Sequence, residues 1–154
     1  MNARKLSLIA LLMLVLAAMA FPTLAAEKTV TVTLSESDIN SSYRVTNPRN
    51  RTISAVNVDL QPGQVVITAT YTTPKVSSIP VSVTLVPTLS NGRVTWTVSS
   101  ATANGQAAST DLLAQLNASI SSSWRNYMKG KVTGKITAFT ITDSSVTWTK
   151  TSTK

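Results

Sequence analysis

From Lys28 onward, branched apolar residues alternate with threonine and serine, and this two-residue period is what most constrains the fold. Successive side chains on a strand point to opposite faces, whereas a helix repeats every 3.6 residues. Residues 28–34, KTVTVTL, put Val30, Val32 and Leu34 on one side and threonines on the other, which predicts a half-buried strand. Thr52 to Leu60 aligns Val56, Val58 and Leu60, and Gln64 to Tyr71 aligns Val65, Ile67, Ala69 and Tyr71. Ile79 to Val86 aligns Ile79, Val81, Val83 and Leu85, and Arg93 to Ala101 aligns Val94, Trp96 and Val98. Lys135 to Thr142 and Ser145 to Thr149 follow, and the last few residues are expected to be a polar tail. Pro62-Gly63, Asn91-Gly92, Asn104-Gly105 and Asp143-Ser144 supply the turns, the Asn-Gly pairs because both residues tolerate positive φ. Strand propensity alone accounts for the threonine content.

Two segments break the alternation. Ser35, with Asp38 three residues on, resembles a capping box and predicts a short helix from about Glu36 to Val45. Thr110 and Asp111 suit a second helix start. Leu113, Leu116, Ile120, Trp124 and Tyr127 then recur at spacings of three and four, forming one apolar stripe. Lys129-Gly130 is expected to end this helix. The order β-α-β-β-β-β-α-β-β predicts an α+β fold. We expect a curved antiparallel sheet of about six to seven strands, packed on one face by one long and one short helix.

Residues 1–26 read differently. Arg4 and Lys5 precede an apolar run from Leu6 to Met19, and Leu24-Ala25-Ala26 offers small residues before Glu27. That is the layout of a cleaved secretory signal peptide. The run is shorter than the roughly 20 residues a membrane span needs. We therefore expect a secreted or extracytoplasmic protein whose single α+β domain is 27–154. The chain has no cysteine, so its stability must come from packing and backbone hydrogen bonds.

The full chain carries a net charge of +8, and loss of Arg4 and Lys5 leaves +6. This charge favours an anionic membrane or cell-wall surface as partner. The densest basic groups are Arg44/Arg49/Arg51 and Arg125/Lys129/Lys131/Lys135. Neither is interleaved with aromatic residues, so nucleic acid is not expected as a partner.

With no histidine and no cysteine, histidine-based nucleophile systems and the usual zinc sets are absent. Glu36 and Asp38, two apart on a helix, diverge. A carboxylate pair made in space by Asp59 and Asp143, as glycoside cleavage would need, is not expected. No Gly-rich phosphate loop is present. We expect no catalytic residues, no metal, no cofactor and no enzyme activity. The N-x-S/T sites at Asn40, Asn50 and Asn117 are read as chance in a Ser/Thr-rich chain.

The opening strand with Leu34-Ser35-Glu36-Ser37-Asp38-Ile39-Asn40, the Val56-Asn57-Val58-Asp59-Leu60 strand and Gly92-Arg93-Val94-Thr95-Trp96-Thr97-Val98 resemble pieces of YpmS-like and LmeA-like exported bacterial proteins, which are related to the TULIP lipid-binding fold. The late helix from Thr110 to Met128 and the closing strand pair fit as well. The resemblance implies a curved sheet around a long helix with an apolar groove. It places Leu113, Leu116, Ile120 and Trp124 opposite Trp96 and Val98, with Tyr127 at the end of the same stripe. With residues 1–26 read as a cleaved signal, we expect a shorter protein than that family's members, without their retained anchor.

Two functional expectations follow. One is a binding module for a lipid or another amphipathic ligand, with Trp96, Trp124 and Trp148 available to line a groove. The competing reading of the stripe is ordinary core, which on the residues alone is favoured. The other expectation is a structural or adhesive envelope protein that self-associates or binds cell-wall polymer.

Overall fold

The computed structural model describes residues 27–152. The expected signal peptide, 1–26, lies outside the described residues. The fold is α+β, with eight strands in two antiparallel sheets and helices packed on them. β1 is Lys28–Ser35, followed by helix α1, Glu36–Ser42. Then come β2 (Thr52–Gln61), β3 (Gln64–Thr73), β4 (Val76–Ser90), β5 (Arg93–Ala103) and β6 (Gln106–Ala107). A helical stretch follows as α2 (Thr110–Leu116), a π-helical turn (Asn117–Ser121) and α3 (Ser122–Lys131). β7 (Lys135–Ile141) and β8 (Ser145–Ser152) close the chain.

The larger sheet runs β2-β3-β4-β5-β6 and the smaller runs β1-β8-β7. The chain thus divides its strands between two sheets where one was expected, because alternation specifies faces and not neighbours. The sheets join through the larger sheet's hairpin ends. Gly63 donates its N–H to Ile141 at 3.2 Å, and Ile136 donates to the Gly92 carbonyl at 2.9 Å. The turns obey their local chemistry. Asn91 and Gly92 have φ of 51° and 73°, and Asn104 and Gly105 have 51° and 76°. A type I′ hairpin needs these positive values.

Three segments depart from expectation. The polar tail is instead the second half of β8, because Thr149, Lys150, Thr151 and Ser152 find backbone partners on β1 and, as far as Thr151, on β7. α1 stops at Ser42: Tyr43 turns extended to bury its ring, and Arg44 caps the helix end by donating to the carbonyls of Ser41 and Tyr43 at 2.8 and 2.6 Å. Gly130 does not end the late helix, which continues to Lys131.

The start of α1 follows the sequence reading. Ser35 accepts from the Asp38 backbone N–H at 3.1 Å, which satisfies an orphan donor of the first turn. The helix then covers the outer edge of β2. Asn40 donates Nδ2 to the Val58 carbonyl and accepts the Val58 N–H on Oδ1, both at 2.8 Å. Glu36 accepts the Leu60 N–H at 2.8 Å. Side chains thereby stand in for a missing strand, which closes an edge otherwise open to pairing.

The core lies between the helices and the inner faces of both sheets. Val58, Leu60, Val65, Ile67, Val83 and Leu85 come from the larger sheet, with Ile136, Val146 and Trp148 from the smaller. The helical stretch contributes Leu116, Ile120, Trp124 and Met128. Among the described residues, no helix is long and apolar enough to cross a membrane.

Candidate functional site

The π-helical turn decides which side chains reach the core. A helix of 3.6 residues per turn would carry a strict spacing of four progressively off one face. The π turn widens one turn and absorbs that drift. Leu112 is half-buried, and Leu116, Ile120, Trp124 and Met128 follow at intervals of four, all closed to solvent. The turn has visible supports. Ser119 Oγ donates back to the Gln115 carbonyl at 2.7 Å, competing with the helical ladder. Tyr43 Oη donates to the Ile120 carbonyl at 2.9 Å, and Ser123 Oγ accepts the Thr46 N–H at 3.1 Å. Burial pushes the Tyr43 phenol well above its ordinary pKa.

The seven expected groove residues therefore part company. Leu116, Ile120 and Trp124 are each 0 % exposed and belong to the closed helix–sheet contact. Trp124 packs edge-on against Trp96 at 5.3 Å and Tyr43 at 5.5 Å between ring centroids. Tyr127 lies half-buried beside Tyr43, shares a 2.8 Å hydrogen bond with Ser42 and carries Lys131 over its ring. Trp148 is buried in β8 opposite Val32 and Phe139. Trp96, Val98 and Leu113 come together elsewhere, along the outer edge of β5.

That edge lacks a strand partner over most of its length, since β6 pairs only with Thr102 and Ala103. The helical stretch runs beside it and leaves an open cleft. One hollow of about 620 Å³ lies between the start of β5, α3 and the start of β7. A second, of about 720 Å³, lies between the rest of β5, β6 and α2. Both are in the range of roughly 300–1,000 Å³ typical of small-molecule sites. They share two walls, Trp96 and Arg125. The Trp96 carbonyl points to the open side of β5 and accepts from Arg125 Nε at 3.2 Å, and Arg125 Nη2 donates to Asn117 Oδ1 at 3.0 Å. The half-buried arginine thus crosses the cleft at its midpoint.

From β5 the cleft takes the apolar Val94, Trp96, Val98 and Ala101 together with the neutral polar Thr95, Thr97, Ser99 and Ser100. Leu113, 38 % exposed, and Met128 face it from the helix. Its ionic residues are Arg93, Arg125 and Lys129, and no carboxylate lines either hollow. Lys135 lies against Gly92 at one mouth, where a Cβ on the glycine would come within 2.8 Å of the lysine Cγ. Sequence reasoning missed Arg93, Arg125 and Lys129 as one surface. The grouping of Arg125 with Lys129 was visible, but Arg93 joins them only through the fold.

No family model, curated protein or solved structure matches the chain. Among the described residues no cluster of acidic side chains could hold a metal ion. Asp59 is exposed and accepts from Gln61 at 2.7 Å, Asp143 is exposed in the β7–β8 turn, and neither lines the cleft. Asn40, one of the three N-x-S/T positions, is committed to the β2 edge.

Proposed function

We propose that this is a non-enzymatic binding protein, exported by its first 26 residues, whose ligand is a lipid or another amphipathic molecule held along β5. The observation that carries the reading is the cleft itself: apolar walls, an open side, three basic residues and no acidic ones. The seat differs from the expected one. It lies beside the helix rather than beneath it, since the Leu116–Ile120–Trp124 contact is closed. The resemblance to lipid-binding envelope families points the same way. A positive protein surface would also bring the cleft to anionic membranes.

Native mass spectrometry of the protein purified from expressing cells, with a liposome extraction assay, tests this. We expect an adduct of lipid mass and transfer of labelled lipid. A ligand-free mass with no extraction would refute it.

A self-associating or wall-binding role is the second reading. It is favoured by the unpaired outer edge of β5, since such an edge is a template for another strand. Concentration-dependent sedimentation or retention on purified cell wall would support it, and a monomer with no retention would end it.

A further inference from the structure

The cleft has two unlike halves, and the difference specifies the shape of what fits it. The helix residues that line it include Leu113, Ala114, Asn117, Arg125, Met128 and Lys129, spread along the helical stretch. Both hollows run along β5, the first beside Gly92 to Trp96, with Ile136 of β7 on its other side, and the second beside Trp96 to Ala101. At about 3.3 Å per residue, these ten positions make one trough of roughly 30 Å. Arg93 and Lys129 stand only in the first half, with Lys135 at its mouth. The second half has no ionic residue except the shared Arg125, and its walls include Val98, Ala101, Ala108, Leu113 and Ala114.

Arg125 has five N–H donors in a fixed fork, and its two hydrogen bonds hold Trp96 and Asn117. The others are free for an anion, which a guanidinium binds in a forked, charge-assisted way. The second half, where Val98, Ala101, Ala108, Leu113 and Ala114 stand among neutral threonines and serines, offers a hydrocarbon chain an uncharged seat.

Resting on the proposed binding role, we propose that the cleft takes a single-chain amphiphile in one direction. The anionic head sits among Arg93, Arg125 and Lys129, and the hydrocarbon tail lies past Trp96 toward Leu113. The occupant is a long-chain carboxylate, chosen by charge complementarity: Arg93 and Lys129 stand at one end only, which leaves one arm without charge beyond Arg125.

The test is calorimetric titration of the full protein with decanoate, dodecanoate and tetradecanoate, below their micelle concentrations. The uncharged monoacylglycerol of the same chain length is the control, and vesicles of a diacyl phosphatidylglycerol are the competing source. Each added methylene should tighten binding about fourfold. Lys129→Gln and Arg93→Gln alter exposed residues and should each weaken the carboxylate several-fold while leaving the monoacylglycerol unchanged. Arg125→Gln should weaken the carboxylate about tenfold or more. Leu113→Glu, at an exposed position, should weaken both ligands and flatten the chain-length series. If no amphiphile binds, the binding role itself fails. If amphiphiles bind but acid and neutral ligand bind alike, or Leu113→Glu has no effect, this orientation fails and the broader role stands. Binding of the diacyl lipid vesicles alone overturns the single-chain assignment.

Discussion

Replacing Tyr43 by phenylalanine removes one oxygen from a buried ring and leaves the ring itself in place. The contacts to Trp124 and Tyr127, at 5.5 and 5.6 Å, survive. What is lost is the donor to the Ile120 carbonyl, at the π turn that keeps the helix in phase. Leaving a buried acceptor without its partner costs about 1–3 kcal/mol. The substitution also changes the alkaline limb of stability. The Tyr43 phenol ordinarily loses its proton near 10.0, and burial raises that value in the folded state. A group raised on folding binds its proton more firmly in the native chain. Its contribution is complete below pH 10 and is lost as pH climbs above it. The wild type should then lose about 1.4 kcal/mol per pH unit through this residue alone. Phenylalanine has no proton to lose, and Tyr71 and Tyr127 are common to both proteins. The difference between the two should therefore shrink above pH 10. Guanidinium unfolding curves at pH 7 and at several points above 10 measure this. A variant as stable as the wild type at pH 7, or parallel curves above 10, would refute the account of the π turn.

Asn40→Ala removes both hydrogen bonds to Val58 and should cost about 1–3 kcal/mol by denaturant titration. It should also make the protein dimerise at high concentration by uncovering β2, whereas Asn40→Asp, which keeps the acceptor, should lose less. Gly92→Ala and Gly105→Ala should differ although both glycines have positive φ. A Cβ at Gly105 meets open space, so only the backbone cost of about 1–2 kcal/mol applies. At Gly92 the Lys135 side chain must also move, so the thermal midpoint should fall further, and equal shifts would count against that contact.

The hairpins were legible because Pro62-Gly63 and the two Asn-Gly pairs announce them locally, and the alternation between them can only be a strand. The short helix was legible in the Ser35–Asp38 cap. β6 was not, since two residues carry no period. The partition into two sheets was hidden because pairing across the length of the chain leaves no local mark. The stripe was read at helical spacing, so Tyr127 and Leu113 joined it and Met128 did not. The π turn reversed this by shifting the phase within five residues. Of the candidate site, Trp96, Val98 and Leu113 were readable as apolar. The basic half of the cleft was not, because Arg93 comes to the same hollow as Arg125 and Lys129 only when β5 packs beside α3.

The central strand of the smaller sheet is the last one made. β8 holds β1 on one side and β7 on the other, and Thr31 meets Thr149 from 118 positions away. Loop closure over such a separation makes pairing slow. A chain still emerging from the ribosome can form the four long strands β2 to β5 but cannot seat β1. The opening strand, with its row of threonines and valines, stays unpartnered until β8 has been made. That interval is when an escort protein would have the most to hold.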